Sequence, residues 1–204
     1  MHKITSKSFV LGSRQIRQVS LVLHTVLARH VCVMGIESSC DDTGVSIVRS
    51  DAVILGESIC SQKQQHVRFG GILLPLAEKW HEQNIDVAIT DACQKAGITL
   101  SQLDAIAVTT RPGILRSLEV GARAALNLGR QYHKPLIPIH HMKAHALTAR
   151  LTETPDNLPF PFLCLLLSGG HSILTWVEDY DQFHILCQSM DSTAVGEALD
   201  KVCE

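Results

Sequence analysis

The chain has 204 residues, 46% of them apolar, and a formal net charge of −2. That length suffices for one ordinary domain with a large core, and the apolar share excludes a disordered chain. The near-neutral balance excludes a global basic field, so any contact with nucleic acid must rest on local patches.

The seven cysteines, Cys32, Cys40, Cys60, Cys93, Cys164, Cys187 and Cys203, contain no C-x-x-C pair and are odd in number. This argues against a disulfide framework or zinc ribbon and for a reducing compartment. No apolar run reaches the roughly 18 residues of a membrane span.

Lys3, Lys7, Arg14, Arg17 and Arg29 precede the first acid, Glu37, and serines are interspersed among them. Ile16, Val19, Leu23, Val26 and Leu27 recur at helical spacing. A basic, acid-free, amphipathic start predicts a mitochondrial transit peptide over residues 1–31. A secretory signal is the rival, because Val19 to Ala28 is mostly apolar. His24 interrupts that run, however, and no A-x-A site follows. A plain first helix is the third reading.

Three strands are expected at Val31–Ile36, Gly44–Val48 and Ala52–Cys60, joined as an antiparallel meander. Gln62–Gly71 is polar and reads as a loop. Pro75 suits a first helical turn and Gly97 a stop, which predicts a helix over 75–96. A strand at Leu103–Val108, a turn at Arg111-Pro112-Gly113, a helix at Ile114–Tyr132, a strand at Leu136–Ile139 and a helix at His140–Leu151 follow. Together they make one mixed α/β lobe, 32–151. The polar, proline-containing stretch 152–161 reads as a linker. Beyond it, strands at Leu163–Leu167, Ser172–Val177 and Phe183–Cys187 repeat the opening of the first lobe, and a helix is expected from about Val195. Two similar lobes around a cleft are expected, with the second, 162–204, cut short because too few helices are left to cover its sheet.

Three motifs can carry chemistry. His141 and His145 stand at i and i+4, on one helix face, where two imidazoles can grip one metal ion. On spacing alone the pair carries little weight, since a chain with 11 histidines produces such pairs by chance. No H-E-x-x-H is present, so the glutamate base of a zinc protease is missing. Ser168-Gly169-Gly170-His171 after an apolar strand lets backbone approach a ligand, though taken in isolation an ordinary Gly-Gly hairpin turn is the better reading. Glu37-Ser38-Ser39-Cys40-Asp41-Asp42-Thr43-Gly44 places acids in a turn, where they orient a metal or polar ligand or simply suit the turn. Cys40 has no basic neighbour in this motif and is not expected to act as a nucleophile.

In this order, the motifs resemble those of the threonylcarbamoyltransferase family, once described as glycoproteases. The resemblance runs from Gly35-Ile36-Glu37-Ser38-Ser39-Cys40-Asp41-Asp42-Thr43 through Gly70-Gly71 and Arg111-Pro112-Gly113 with Val120-Gly121. It continues through Pro138-Ile139-His140-His141-Met142-Lys143-Ala144-His145 and Ser168-Gly169-Gly170-His171 to Gly196-Glu197-Ala198-Leu199-Asp200-Lys201. It covers about residues 32 to 202.

The resemblance implies an actin-like ATPase fold, two-lobed and ribonuclease-H-like. It implies transfer of threonylcarbamoyl from threonylcarbamoyl-adenylate to N6 of adenosine 37, in the anticodon loop of mitochondrial tRNAs reading ANN codons, with release of AMP. It implies His141 and His145 as ligands of one divalent ion, Fe2+ or Zn2+, in each subunit. Leu166, Leu167, Ser168, Gly169, Gly170 and Asp200 are then substrate contacts, no side chain is assigned as catalytic, and a homodimer in the mitochondrial matrix, off the membrane, is expected. Family members continue beyond residue 204, many carry glycine where Arg111 stands, and Cys203-Glu204 departs from the usual small and apolar residues. The alternatives are a catalytically inactive short form that binds or modulates the longer enzyme, and a kinase or ATPase of the same fold, which has no need of the H-x-x-x-H helix.

Overall fold

The computed structural model describes residues 30–153, 156–167 and 172–188. Strand β1 (Cys32–Glu37) turns into β2 (Asp42–Arg49), which turns into β3 (Ile54–Ser61), all antiparallel. Alternation sets the faces: Met34, Ile36, Val45 and Ile47 are buried, while Gly35, Gly44 and Ser46 point to the opposite side. β4 (Ala105–Arg111) lies parallel to β1, and β5 (Leu136–His140) parallel to β4, giving the order β3-β2-β1-β4-β5. This is the ribonuclease-H-like sheet expected of an actin-like first lobe.

The polar stretch expected to be a loop contains a short helix, α1 (Lys63–Val67). Of its polar residues His66 is buried, together with Gln62 just before the helix, and the two side chains are joined by a hydrogen bond. The Gln62 amide donates to the Ala77 carbonyl at 3.3 Å, and its oxygen accepts from His66 Nε2 at 3.1 Å. Helix α2 (Leu74–Ala96) follows, with Pro75 in its first turn and left-handed Gly97 (φ 66°) closing it. α3 (Leu115–Tyr132) lies beside α2, and both cover the apolar face of the sheet. Ile85, Ala88, Ile89 and Ala92 of α2 and Val120 and Ala125 of α3 share a core with Met34, Ile36, Ile47, Ile106 and Val108. Gly121 of α3 has to be glycine, since a Cβ there would lie 2.5 Å from Ser38 Oγ.

α4 (His141–Thr152) leaves β5, starting one residue later than expected because His140 is still strand. Past it, β6 (Phe162–Leu167), β7 (Ser172–Val177) and β8 (Phe183–Gln188) form a separate antiparallel sheet with the connectivity of β1-β2-β3. Leu163, Leu165, Leu167, Trp176, Ile185 and Leu186 of this sheet are exposed. α4 is clasped to this part of the chain at two points. Lys143 Nζ donates to the Asp181 carbonyl at 2.6 Å and sits 4.8 Å from the Phe183 ring centre. The Arg150 guanidinium lies 4.1 Å from the Phe160 ring centre and donates to the Leu158 carbonyl. No helix among the described residues is long and apolar enough to cross a membrane. The helix expected near Val195 lies outside the described residues.

The β1–β2 turn is held from beneath by a buried histidine. His81 of α2, 0% exposed, lies 3.0 Å through Nε2 from the Cys40 carbonyl and 2.7 Å through Nδ1 from the Thr43 hydroxyl. A carbonyl only accepts, so Nε2 carries the proton and the threonine donates to Nδ1. Burial depresses the His81 pKa below its usual value, against the opposing pull of the Cys40 carbonyl and of Glu37, Asp41 and Asp42. The unfolded chain therefore takes up the proton first as pH falls. The stability His81 contributes is complete above about pH 6.5 and declines below it. His81→Gln is expected to lower unfolding free energy by about 1–3 kcal/mol at pH 7.5. In urea titrations, the gap between wild type and variant is expected to narrow toward pH 5; a gap that widens would contradict this assignment.

Candidate metal and ligand site

The carboxyl ends of the parallel strands β1, β4 and β5 place Glu37, Arg111 and His140 along one edge of the sheet, and α4 starts there. Ligands of open α/β sheets gather at such edges. His141 and His145 lie on one face of α4, as their spacing predicts, with Nε2 atoms 3.1 Å apart and rings at 87°. Their orientation comes from β1. His141 Nδ1 is 3.0 Å from Glu37 Oε2, and a carboxylate only accepts, so the ring proton sits on Nδ1 and the Nε2 lone pair faces His145.

Glu37 is in turn fully engaged. Its Oε2 accepts from the Thr109 hydroxyl at 2.6 Å and its Oε1 from the Ser39 backbone N–H at 2.5 Å. Burial works to raise its pKa, but the hydrogen bonds from His141, Ser39 and Thr109 outweigh burial and lower it to about 2. The bond to Glu37 raises the pKa of His141 against its burial. Burial first, then the neighbouring His141, lowers that of His145. Cys40 sits in the same turn with its pKa pushed up to about 11, by burial and by the charges of Asp41, Asp42 and Glu37, which removes it as a nucleophile.

The pair suits a divalent ion. Two ligands at about 2.0–2.1 Å from one ion stand roughly 2.9–3.4 Å apart at right-angled to tetrahedral geometry, and the observed 3.1 Å falls in that interval. A carboxylate on the remote ring nitrogen is the usual support of a metal-bound histidine and raises its basicity. An Nε2–H···Nε2 hydrogen bond donated by His145 suits the same distance. Among the described residues no group of three or more His, Cys, Asp or Glu side chains is set to enclose an ion, and the histidine pair supplies two candidate ligands.

Beside the pair opens a cleft of about 410 Å³, in the range of small-molecule sites. Gly35, Gly44 and Ala107 from the sheet and Ala144 and Thr148 from α4 line it together with the carboxylates of Glu37, Asp42 and Glu57.

Of the other expected site residues, Leu166 and Leu167 end β6, opposite Ile173 and Ser172 of β7. Ser168, Gly169, Gly170 and Asp200 lie outside the described residues. Glu37 was legible only as one acid of a turn, because 104 residues separate it from His141 and no spacing rule joins them. Asp42 lines the cleft, but it is Glu37 that reaches the histidines.

Comparison with known proteins places these residues in context. The description of the TsaD family, tRNA N6-adenosine threonylcarbamoyltransferase, matches residues 53–204. The chain is 47% identical over 176 residues to the mitochondrial tRNA N6-adenosine threonylcarbamoyltransferase of Mus musculus, covering 86% of this chain and 42% of that protein. It is 47% identical over 173 residues to the Homo sapiens mitochondrial protein, covering 85% and 41%. With the Bacillus subtilis tRNA N6-adenosine threonylcarbamoyltransferase it shares 40% identity over 170 residues, covering 83% and 48%. The chain thus spans less than half the length of these relatives. Among solved structures, YeaZ from Pseudomonas aeruginosa superposes with a TM-score of 0.51 at 14% identity, over 78% of this chain and 67% of that one, a likeness of fold.

Replacing Glu37 by Gln tests the support of the pair directly. The variant is expected to bind Zn2+ or Fe2+ about 10–100-fold more weakly than wild type in chelator competition. Equal affinity would show that the carboxylate does not orient His141 for a metal.

Proposed function

This chain belongs to the tRNA N6-adenosine threonylcarbamoyltransferase family, and from that membership we propose that it takes part in transferring threonylcarbamoyl from threonylcarbamoyl-adenylate to N6 of adenosine 37 in mitochondrial tRNAs reading ANN codons. One observation carries the reading: a histidine pair oriented by a partly buried carboxylate, at the carboxyl-end edge of the parallel strands, within a chain whose residues 53–204 match this family.

In the reaction, the N6 amine attacks the carbamoyl carbon of the adenylate. The bond from that carbon to the phosphate oxygen breaks, AMP leaves with the bonding pair, and N6 gives up a proton to solvent. The acyl group arrives activated, so the protein needs no nucleophile of its own, in keeping with a Cys40 held protonated. The acceptor amine is a weak nucleophile because its lone pair is delocalised into the ring. Positioning and charge stabilisation therefore do most of the work. The target base sits in a single-stranded loop, where exposing it costs little.

His141 and His145 would hold one divalent ion, Fe2+ or Zn2+, which when bound supplies Lewis-acid polarisation of substrate oxygens. Glu37 keeps the His141 lone pair directed at that ion, and Thr109 and Ser39 keep Glu37 charged. We assign Leu166–Gly170 and Asp200 to the adenylate, residues 1–31 to a transit peptide leading to the mitochondrial matrix, 32–151 and 162–204 to the first and second lobes, 152–161 to the linker, and the assembly to a homodimer. The names of the mitochondrial relatives and the acid-free start of the chain support the compartment.

The test is a transfer assay with threonylcarbamoyl-adenylate, Zn2+ or Fe2+ and mitochondrial tRNA, read by nucleoside mass spectrometry. Wild type is expected to form N6-threonylcarbamoyladenosine, and the His141→Ala, His145→Ala double variant at least about 100-fold less, since both ligands and their oriented ion are lost. Product from the double variant at the wild-type rate would remove the histidine pair from the mechanism. No product from wild type, beside an active longer relative in the same mixture, would favour the inactive, modulating form.

A further inference from the structure

Arg111 is the last residue of β4 and stands opposite His140 of β5, one residue before the histidine pair begins. Its side chain is exposed. Four other cations of this lobe are matched to carboxylates: Arg49 to Asp51, Lys95 to Asp91, Arg116 to Glu78 and Arg123 to Glu82, at 2.7–3.0 Å. Among the described residues Arg111 has no such partner. Lys143, in the first turn of α4, is bound to a carbonyl and a ring, neither of which cancels its charge. Glu37, which ends β1 on the same edge of the sheet, is already committed to His141, Thr109 and Ser39. The first turn of α4 carries no acid, and no side chain caps its N–H groups, so the positive end of the helix dipole adds to the same field.

An uncompensated pair of cations at the rim of a site, in a chain of net charge −2, calls for an anionic partner from outside. Arg111 projects from the exposed edge and does not line the 410 Å³ cleft. That favours a large polyanion over a small ligand sunk in the cleft. We propose that Arg111 and Lys143 contact the phosphate backbone of the RNA substrate, fixing the anticodon loop against the edge from which the His141–His145 pair projects. This rests on the RNA-modifying reading above. Such contacts position an RNA without reading its bases.

The experiment measures binding of an anticodon stem-loop RNA by fluorescence anisotropy between 50 and 200 mM salt, for wild type, Arg111→Gln, Lys143→Met and Arg111→Lys. AMP binding by calorimetry reports on the adenylate phosphate. Each charge-removing variant is expected to bind RNA several-fold more weakly, with the slope of log affinity against log salt reduced by about 0.7–0.9. A stem-loop of scrambled loop sequence should weaken equally, Arg111→Lys should keep the wild-type slope, and AMP affinity should not change. Unchanged RNA affinity and slope in both variants, with wild type binding RNA, would overturn this inference and leave the RNA-modifying reading standing. Loss of AMP affinity in place of RNA affinity would reassign the cations to the adenylate. A wild-type chain with no salt-dependent RNA binding would overturn both.

Discussion

The carboxylate of Glu37 accepts hydrogen bonds from three parts of the chain that are distant in sequence: the turn after β1 through Ser39, strand β4 through Thr109 and helix α4 through His141. A partly buried charge is tolerable only when its lone pairs are met, so these partners are obliged to converge. That convergence fixes where α4 starts and which way its first histidine faces. The ring of His145 then follows from helix geometry alone, one turn further along.

The turn that carries Glu37 is held with comparable thoroughness. His81 reaches it from α2, and Ser38 Oγ donates to the Ser117 carbonyl of α3 and accepts from the Gly121 N–H. The Ser39 carbonyl accepts from Ile114 N–H, and Gly113 passes so close to Ser39 that a Cβ there would lie 2.7 Å from it. Both helices that build the core therefore also place the site. A substitution deep in that packing can act on the histidines without touching them.

Most of the scaffold was readable from periodicity and punctuation. β7 has the bounds expected of it as part of the repeated strand pattern, Gly97 stops α2, and the i, i+4 spacing brings His141 and His145 together. Departures arise where tertiary partners override composition. Gln62 and His66 look like loop residues but are buried because each satisfies the other, which turns part of an expected loop into α1. β2 begins at Asp42 and not Gly44, since Asp42 and Thr43 pair with Ser61 and Cys60 of β3. The role of Glu37 was illegible for a simpler reason: a hydrogen bond spanning 104 residues leaves no trace in local pattern.

The clasps on α4 have a mechanical consequence. The helix is tied to the first sheet at His141 and to the chain around the second sheet at Lys143 and Arg150. Its first turn is held from both sides at once, by Glu37 at His141 and by the Asp181 carbonyl at Lys143, and its last turn is held at Arg150. A tilt of the second sheet would therefore act directly on the turn that carries the imidazole rings, where a few tenths of an ångström in the nitrogen–nitrogen gap separates a good bite for an ion from a poor one. Reciprocity then requires that the ion restrain the tilt as strongly as the tilt governs the ion. The hold on the ion and the packing of α4 against the second sheet are then two readings of one equilibrium.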